Sequence, residues 1–422
     1  MKILYVCQYF PPEMGAPAAR VSELARYWVR AGHEVTVLTG FPNHPTGVVH
    51  PSYRGKLKKF VLREKFEGAD VVRTWLWPLP NRKALERVLN YASFWASASI
   101  MSGFLDRPDV VIGTSPQLLV GLAGLWAAST QRVPFVFEVR DLWPESLVAV
   151  GVRNEQSAMT RTLRRIADLL YRKSDRIVVV TPAFKSEIMQ NYGIPAEKIS
   201  IVENGVETDF FTPAGASEEL RARLNLGGKF VVGYIGTMGD AHALDTVVAA
   251  AAKLKFTQPD VVFLFVGEGA RKQQIVDLAT RQGLDNMLFL PQQPRAEIPA
   301  YIRAADVCLV PLRRSDVFKT VIPTKMLEFL SCARPVILSV EGQAREIIQN
   351  SQGGIAIEPE NSEALAQTIL DLRADPVRRS ALGQNGRRYI EQNFSRESTA
   401  ARYVDVLSSM RESRRSRARG GV

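Results

Sequence analysis

Phe318-Lys-Thr-Val-Ile-Pro-Thr-Lys-Met-Leu-Glu-Phe-Leu-Ser-Cys-Ala-Arg-Pro-Val-Ile337 reads as loop, helix start, short helix, turn and strand. Pro323 and Thr324 are helix start signals, and the Thr324 hydroxyl is available to cap exposed backbone N–H groups. Such amides form an anion site, and Lys325 in the first turn adds a full positive charge to it. Glu328 follows one turn after Thr324 and shares its face. One helix start can therefore hold two ends of a ligand, phosphates at Lys325 and hydroxyls at Glu328. The alternative is a solvated Lys325–Glu328 surface pair.

Outward from this stretch, strand and helix alternate along the whole chain. Ile3–Val6, Glu34–Thr39, Val110–Gly113, Phe135–Glu138 and Arg176–Val180 read as strands, with a helix over Ala18–Ala31. A polar, turn-rich passage, Val202–Pro213, fits a linker. A second series follows: strands at Phe230–Ile235, Val261–Val266, Met287–Leu290, Val307–Val310 and Val336–Leu338, with helices over Thr246–Lys255, Arg271–Gln282 and Ala296–Ala304. This pattern predicts α/β architecture, two parallel sheets covered by helices, with ligands beyond the carboxyl ends of the strands and in the cleft between the halves. Phe394–Met410 is expected to be helical, and residues 411–422, with Arg411, Arg414, Arg415, Arg417 and Arg419, a disordered basic tail.

Length and composition agree with two globular domains: 422 residues, 46% hydrophobic, 23% charged. A net charge of +11 points to an anionic partner. No helix-turn-helix, zinc or RNA-binding signature accompanies it, so nucleic acid is not expected. Cys7, Cys308 and Cys332 follow no metal or disulfide spacing and suit a reducing cytosol. The first residues read as a strand, not a signal peptide. Val88–Leu105 carries no charge, but Asn90 and four serines dilute it. Leu85, Val88, Leu89, Ala92, Trp95, Ala96 and Ile100 line one side at helical spacing, which predicts an amphipathic helix packed in the domain or touching lipid rather than a membrane span. Arg54, Lys56, Lys58, Lys59, Arg63 and Lys65 interleave with Tyr53, Leu57, Phe60 and Phe66, a pattern suited either to an anionic lipid surface or to a solvated basic face.

Four further stretches carry candidate chemistry. Gly236-Thr-Met-Gly239 follows a strand, where glycines let backbone approach a ligand and form an N–H nest for phosphate; alone it also reads as an ordinary turn. Gly267-Glu-Gly269 repeats the arrangement, with Glu268 as candidate or merely solvated. Gly15 lies in the first strand-to-helix loop, and Arg20 opens the next helix, where it is placed to meet a phosphate. Glu138-Val-Arg-Asp-Leu-Trp-Pro-Glu-Ser146 puts Arg140, Asp141 and Glu145 at or beyond a strand's carboxyl end, where a carboxylate accepts a proton or holds a hydroxyl. The competing view is a structural Arg140–Asp141 pair with Trp143 in the core.

Together these stretches resemble glycosyltransferase family 4, retaining enzymes of GT-B fold. The resemblance covers nearly the whole chain and is strongest at Pro323-Thr-Lys-Met-Leu-Glu328 and Arg334-Pro-Val-Ile337, which look like the family's donor-site helix. It implies two Rossmann-like domains facing across a cleft: an acceptor-side domain over 1–203, a nucleotide-sugar domain over 204–392, and a helix over 393–410 crossing back to the first. It makes Glu328 the ribose candidate and Lys325 a diphosphate candidate, with Gly236, Thr237, Met238, Gly239, Glu268, Lys319 and Thr324 also on the donor. Gly15, Arg20 and Glu145 are placed on the acceptor side, and Arg140, Asp141, Lys325 and Glu328 in catalysis. Phe137–Ser146 and Gly236–Gly239 further resemble a bacterial subgroup that adds amino-deoxy sugars, such as N-acetyl-fucosamine, in O-antigen and capsule assembly.

The sequence departs from the family at several points. Thr320 stands where the first glutamate of an E-x7-E pair is expected; Asp240-Ala-His-Ala-Leu244 lacks the usual Arg and Lys; Arg140-Asp141 replaces a His-Asp pair; Ala333 replaces a Gly. Lys319 and Lys325, with Arg271 or Arg313 as a further candidate, are then left to neutralise a diphosphate. The implied reaction is retaining, metal-independent transfer from a nucleotide-diphosphate sugar, without cofactor, to a polyprenyl-diphosphate-linked saccharide at the cytoplasmic face of the plasma membrane. A nucleotide-sugar 2-epimerase and a non-catalytic nucleotide-sugar-binding protein remain as rivals.

Overall fold

The structure is a computed structural model and describes residues 1–13, 15–44, 46–80, 84–146, 156–215 and 217–419. It divides into two units: Met1–Glu203 with Thr399–Val422, and Asn204–Ser398.

The first unit is built on an eight-stranded sheet. Its strands are β1 (Lys2–Val6), β2 (Glu34–Gly40), β3 (Val61–Phe66), β4 (Ala69–Thr74), β5 (Val110–Thr114), β6 (Phe135–Val139), β7 (Arg176–Val179) and β8 (Ile199–Ile201), in the order β3-β4-β2-β1-β5-β6-β7-β8. All neighbours are parallel except β3, which pairs antiparallel with β4. The apolar runs of β1, β5 and β6 are buried on both faces, as helices on either side of a parallel sheet require. Helix α1 (Ala16–Arg30) lays Val21, Leu24 and Trp28 on one face of β1, where Tyr403 and Leu407 of the last helix join the same core. The Trp28 indole N–H donates to the Ala400 carbonyl, and the rings of Trp28 and Tyr403 meet edge-on at 5.2 Å.

The second unit holds β9 (Phe230–Ile235), β10 (Val261–Val266), β11 (Met287–Leu290), β12 (Val307–Pro311), β13 (Val336–Ser339) and β14 (Gly354–Ala356). They form a six-stranded parallel sheet in the order β11-β10-β9-β12-β13-β14. The chain reverses its direction of travel across the sheet between β9 and β12, which is where doubly wound sheets open a crevice at their carboxyl ends. Apolar clusters cover both faces of this sheet, one centred on Met326, Phe329 and Leu330, the other on Val247, Phe263 and Ile369.

Two features differ from expectation or go beyond it. The basic stretch after Tyr53 is a 3-10 segment, Pro51–Lys59, followed by the edge strand β3. The last helix runs from Arg396 to Arg419, so backbone expected to be disordered from 411 is helical to 419, and 420–422 lie outside the described residues. Among the described residues no helix is long and apolar enough to cross a membrane. Cys7, Cys308 and Cys332 are buried free thiols.

Candidate active site

The candidate site of the second unit is built by two loops and one helix at the β9/β12 switch. β9 runs directly into Gly236-Thr-Met-Gly239, and the backbone of this loop crosses that of Gly267-Glu-Gly269 after β10. Met238 N–H donates to Glu268 O at 2.9 Å and Arg271 N–H to Met238 O at 2.9 Å. The approach is so close that a Cβ on Gly267 would lie 2.1 Å from Gly236 O, and one on Gly269 2.3 Å from Met238 O. Only glycine fits at either place. From the β12 side, Arg313 N–H donates to Ala241 O at 2.8 Å and its Nε to Asp240 O at 2.7 Å, fastening the loop after β12 to the loop after β9.

Lys325 enters on the helix Thr324–Ser331. Its Nζ donates to the Tyr234 hydroxyl at 3.1 Å and lies 4.3 Å from the centre of the Tyr234 ring. A Cβ on Gly236 would sit 3.2 Å from that Nζ, so the loop glycine leaves the amine its room. Burial lowers the Lys325 pKa to about 7, against the pull of the Glu328 carboxylate one turn on. Tyr234 also donates its hydroxyl proton to Thr237 O, so one phenol ties the lysine to the glycine loop. His242 lies in the same group: its Nδ1 accepts from Gly239 N–H at 3.2 Å, and burial together with the Lys325 charge depresses its pKa to about 4. Both effects favour the neutral imidazole at neutral pH.

The expected donor residues thus divide. Gly236, Gly239, Thr237 and Lys325 come together, with Glu328 half-buried on the same helix. Two readings need correction. Thr324 is not a cap: Pro323 holds the N-cap position and no side chain caps this helix. Met238 contributes backbone only, because its side chain is in the core. Glu268 is held by Lys272 Nζ at 2.6 Å. Lys319 is exposed and paired with Asp316 at 2.7 Å and Glu341 at 3.5 Å, so its charge is already partly answered. Thr320 turns its hydroxyl to Val317 O at 2.7 Å. Arg271 lies 3.6 Å from Asp240.

In the first unit, Gly15 caps α1 with φ of 114°. Arg20 does not wait for a phosphate. It is 2% exposed, its Nε and Nη2 reach Glu138 Oε1 at 3.0 Å, and it donates to the carbonyls of Val202 and Glu203. Burial would raise the Glu138 carboxyl, but Arg20, Arg140, Tyr5 and Thr114 outweigh it and hold the pKa below its usual value. Arg140 is likewise structural: it donates to Ser115 O at 2.9 and 3.0 Å and to Pro17 O at 2.9 Å. Glu145 accepts from Tyr192 at 2.8 Å and Arg164 at 3.4 Å. Asp141 pairs with no cation among the described residues; burial raises its pKa even though the Trp143 indole N–H donates to it at 3.1 Å. Sequence reasoning missed Glu13, whose carboxylate takes N–H bonds from Phe10, Asn43 and His44 and which burial pushes up to about 7. Among the described residues no group of three or more His, Cys, Asp or Glu side chains is placed to hold a metal ion.

Residues 15–205 match the glycosyl transferase 4-like domain, and residues 216–389 match the glycosyl transferases group 1. The chain belongs to the GT-B glycosyltransferases. WcaI of Escherichia coli (strain K12), assigned as a colanic acid biosynthesis glycosyl transferase, is 25% identical over 96% of this chain and 100% of its own. Several other curated relatives are matched over only 51% to 66% of their length. Two solved structures share the fold. Sucrose-phosphate synthase from Thermosynechococcus elongatus has a TM-score of 0.77 at 21% identity, covering 97% of this chain and 98% of that one. Anabaena Alr3699/HepE in complex with UDP-glucose has a TM-score of 0.73 at 18% identity, covering 97% and 100%. In this glycosyltransferase, sequence reasoning also passed over Tyr234 and His242. Tyr234 hides in an apolar strand, but it is also the one hydroxyl in Phe-Val-Val-Gly-Tyr-Ile directly before a glycine loop, and that is the signal by which it is found.

Proposed function

We propose that this glycosyltransferase moves a sugar, an N-acetylated amino-deoxy hexose, from a UDP-linked donor to a polyprenyl-diphosphate-linked saccharide in surface polysaccharide synthesis. Transfer proceeds with retention of configuration and without a metal, peripherally at the inner face of the plasma membrane. The observation that carries the donor half is the desolvated amine of Lys325, set against Gly236 at the start of a helix that also presents Glu328. As the bond from sugar to diphosphate breaks, negative charge grows on the leaving oxygen. A cation and helix amides already in place stabilise it without reorganisation. Glu328 takes the ribose hydroxyls. The acceptor hydroxyl passes its proton to the departing diphosphate on the same face of the sugar, which preserves the anomeric configuration. On the first unit, Asp141 holds the acceptor, and Gly15 leaves it room.

Two likenesses support this reading: WcaI, similar over its whole length, is assigned as a colanic acid biosynthesis glycosyl transferase, and the Anabaena structure of like fold is a complex with UDP-glucose. Melting temperatures with a panel of UDP- and GDP-sugars test it. A UDP-sugar that raises the melting point in proportion to its concentration over its Kd is expected, and Lys325→Ala and Glu328→Ala abolish the rise and cut transfer severely while the fold is kept. Near-normal turnover in both variants overturns the donor site. A shift without transfer points to a binding protein, and a new sugar nucleotide formed without acceptor points to an epimerase.

A further inference from the structure

We propose that Tyr234 is a positioning residue for donor binding: its ring and hydroxyl hold the Lys325 amine beside the glycine loop and keep it charged for the diphosphate. This rests on the donor-site part of the reading above and adds a residue that acts on the donor only through Lys325.

The charge that meets a diphosphate at the crossing of the two loops depends on one amine. Neighbouring cations are already answered: Arg271 lies 3.6 Å from Asp240, Arg313 is paired with Asp245 and Glu360 at 3.3 Å, and Lys272 with Glu268 at 2.6 Å. The stretch Asp240-Ala-His-Ala-Leu244 adds only His242, which burial and the Lys325 charge hold toward its neutral form. Among the described residues Lys325 is in no ion pair, and its hydrogen bond goes to Tyr234. Two of the three N–H bonds of the ammonium are left for a ligand.

Alone, such an amine would give up its proton, because burial strips it of water and favours the uncharged form. Tyr234 opposes this in two ways. Its own proton goes to Thr237 O, so the phenol oxygen faces the amine as an acceptor, and an oxygen that already donates accepts more strongly. Its ring presents the electron-rich face 4.3 Å from Nζ, which attracts the ammonium and not the neutral amine. The other titratable groups that face the amine are Glu328 on its own helix and His242 after β9. The support is rigid. Tyr234 is fully buried, packs on the Phe265 ring at 5.4 Å and meets the His242 ring edge-on at 6.2 Å. Lys325 is only partly buried, so a ligand reaches the lysine and not the tyrosine behind it.

Calorimetric titration of the full chain with UDP and with inorganic pyrophosphate tests the proposal on the parent, Tyr234→Phe, Lys325→Met and the double variant. Tyr234→Phe keeps the ring and removes the hydroxyl, so the amine loses its charge at lower pH. Its affinity is expected within about threefold of the parent at about pH 6 and about tenfold weaker at about pH 8, as a fall moved down by about one pH unit gives. In the Lys325→Met background the same change is expected to alter nothing, since there is no amine to hold. Equal loss at both pH values, no loss at either, or a full further loss on top of Lys325→Met overturns the proposal. Melting of every variant is measured first. Should Tyr234→Phe fail to fold, the parent decides: the isotope-labelled ε-methylene of Lys325, assigned by its absence from Lys325→Met, is expected upfield in the ring current of Tyr234 both free and with UDP. An ordinary resonance in either state overturns the proposal. A parent that binds neither probe, or Lys325→Met that binds like the parent, sinks the donor-site reading; a weakened Lys325→Met with any of the overturning results above sinks this inference alone.

Discussion

Packed on the Tyr234 ring, the Lys325 amine of the free protein loses its charge as pH rises through about 7. A bound diphosphate favours the charged form and raises that pKa. Between the free and bound values, donor binding takes up a proton, so affinity is flat below about 7 and falls by up to about tenfold per pH unit above it. Titration calorimetry in buffers of different ionisation enthalpy should register this proton. Lys325→Met should bind the donor weakly and show no pH slope. A parent chain whose affinity is constant from neutral to alkaline pH removes the diphosphate from Lys325. His242, neutral because it is buried and faces the same amine, adds no second titration in this range. At this scale the sequence misled at Arg20. A cation opening a helix after a glycine loop looks like a phosphate ligand. The counter-signal was Glu138, a carboxylate inside the apolar strand Phe135-Val-Phe-Glu-Val139, which cannot be buried without a cation, and Arg20 is that cation.

The crossing of the loops after β9 and β10 gives the donor site its shape, and it tolerates no side chain at Gly267 or Gly269. Gly269→Ala would force a methyl group onto the Met238 carbonyl, at a cost of about 1–3 kcal/mol in displaced backbone. Loss of at least about tenfold in donor affinity is expected, with far-ultraviolet circular dichroism unchanged; unaltered affinity would show that the loop does not touch the donor. The strands that form this crossing were legible because they are short apolar runs followed by glycine. What brings Gly236 and Lys325 together was not, since they are far apart in sequence and joined only by the strand order β9-β12. β3 escaped notice for another reason. It is an edge strand with Arg63 and Lys65 exposed, so its alternation reads as a charged surface, and charge on an edge is a common guard against pairing with other chains. The polar lining of the helix Ala84–Ser102 was visible as serines diluting an apolar stretch, but which side faced inward depended on Trp75 and Trp77, whose carbonyls and amide the serines and Asn90 satisfy.

Over the whole molecule, each unit has its own sheet and core, yet the first is not continuous in sequence. Tyr403 and Leu407 are fully buried against Trp28 and Val21. Tyr403→Ala should cost about 3–5 kcal/mol, as removal of a buried aromatic side chain does, and should lower the first unit's thermal transition while leaving that of the second in place. Differential scanning calorimetry separates the two; a single shared shift would show that the units unfold together. The alternating pattern that announces two α/β halves is written in every strand, whereas the allegiance of the last helix depends on a handful of side chains.

That allegiance sets a timetable for biosynthesis. The segment that closes the pocket around Trp28 leaves the ribosome after everything from Asn204 to Ser398 has been made. Until then Trp28 and Val21 of the nascent amino-terminal half lack the apolar partners that Tyr403 and Leu407 supply, and a chain stopped short of them leaves that groove open.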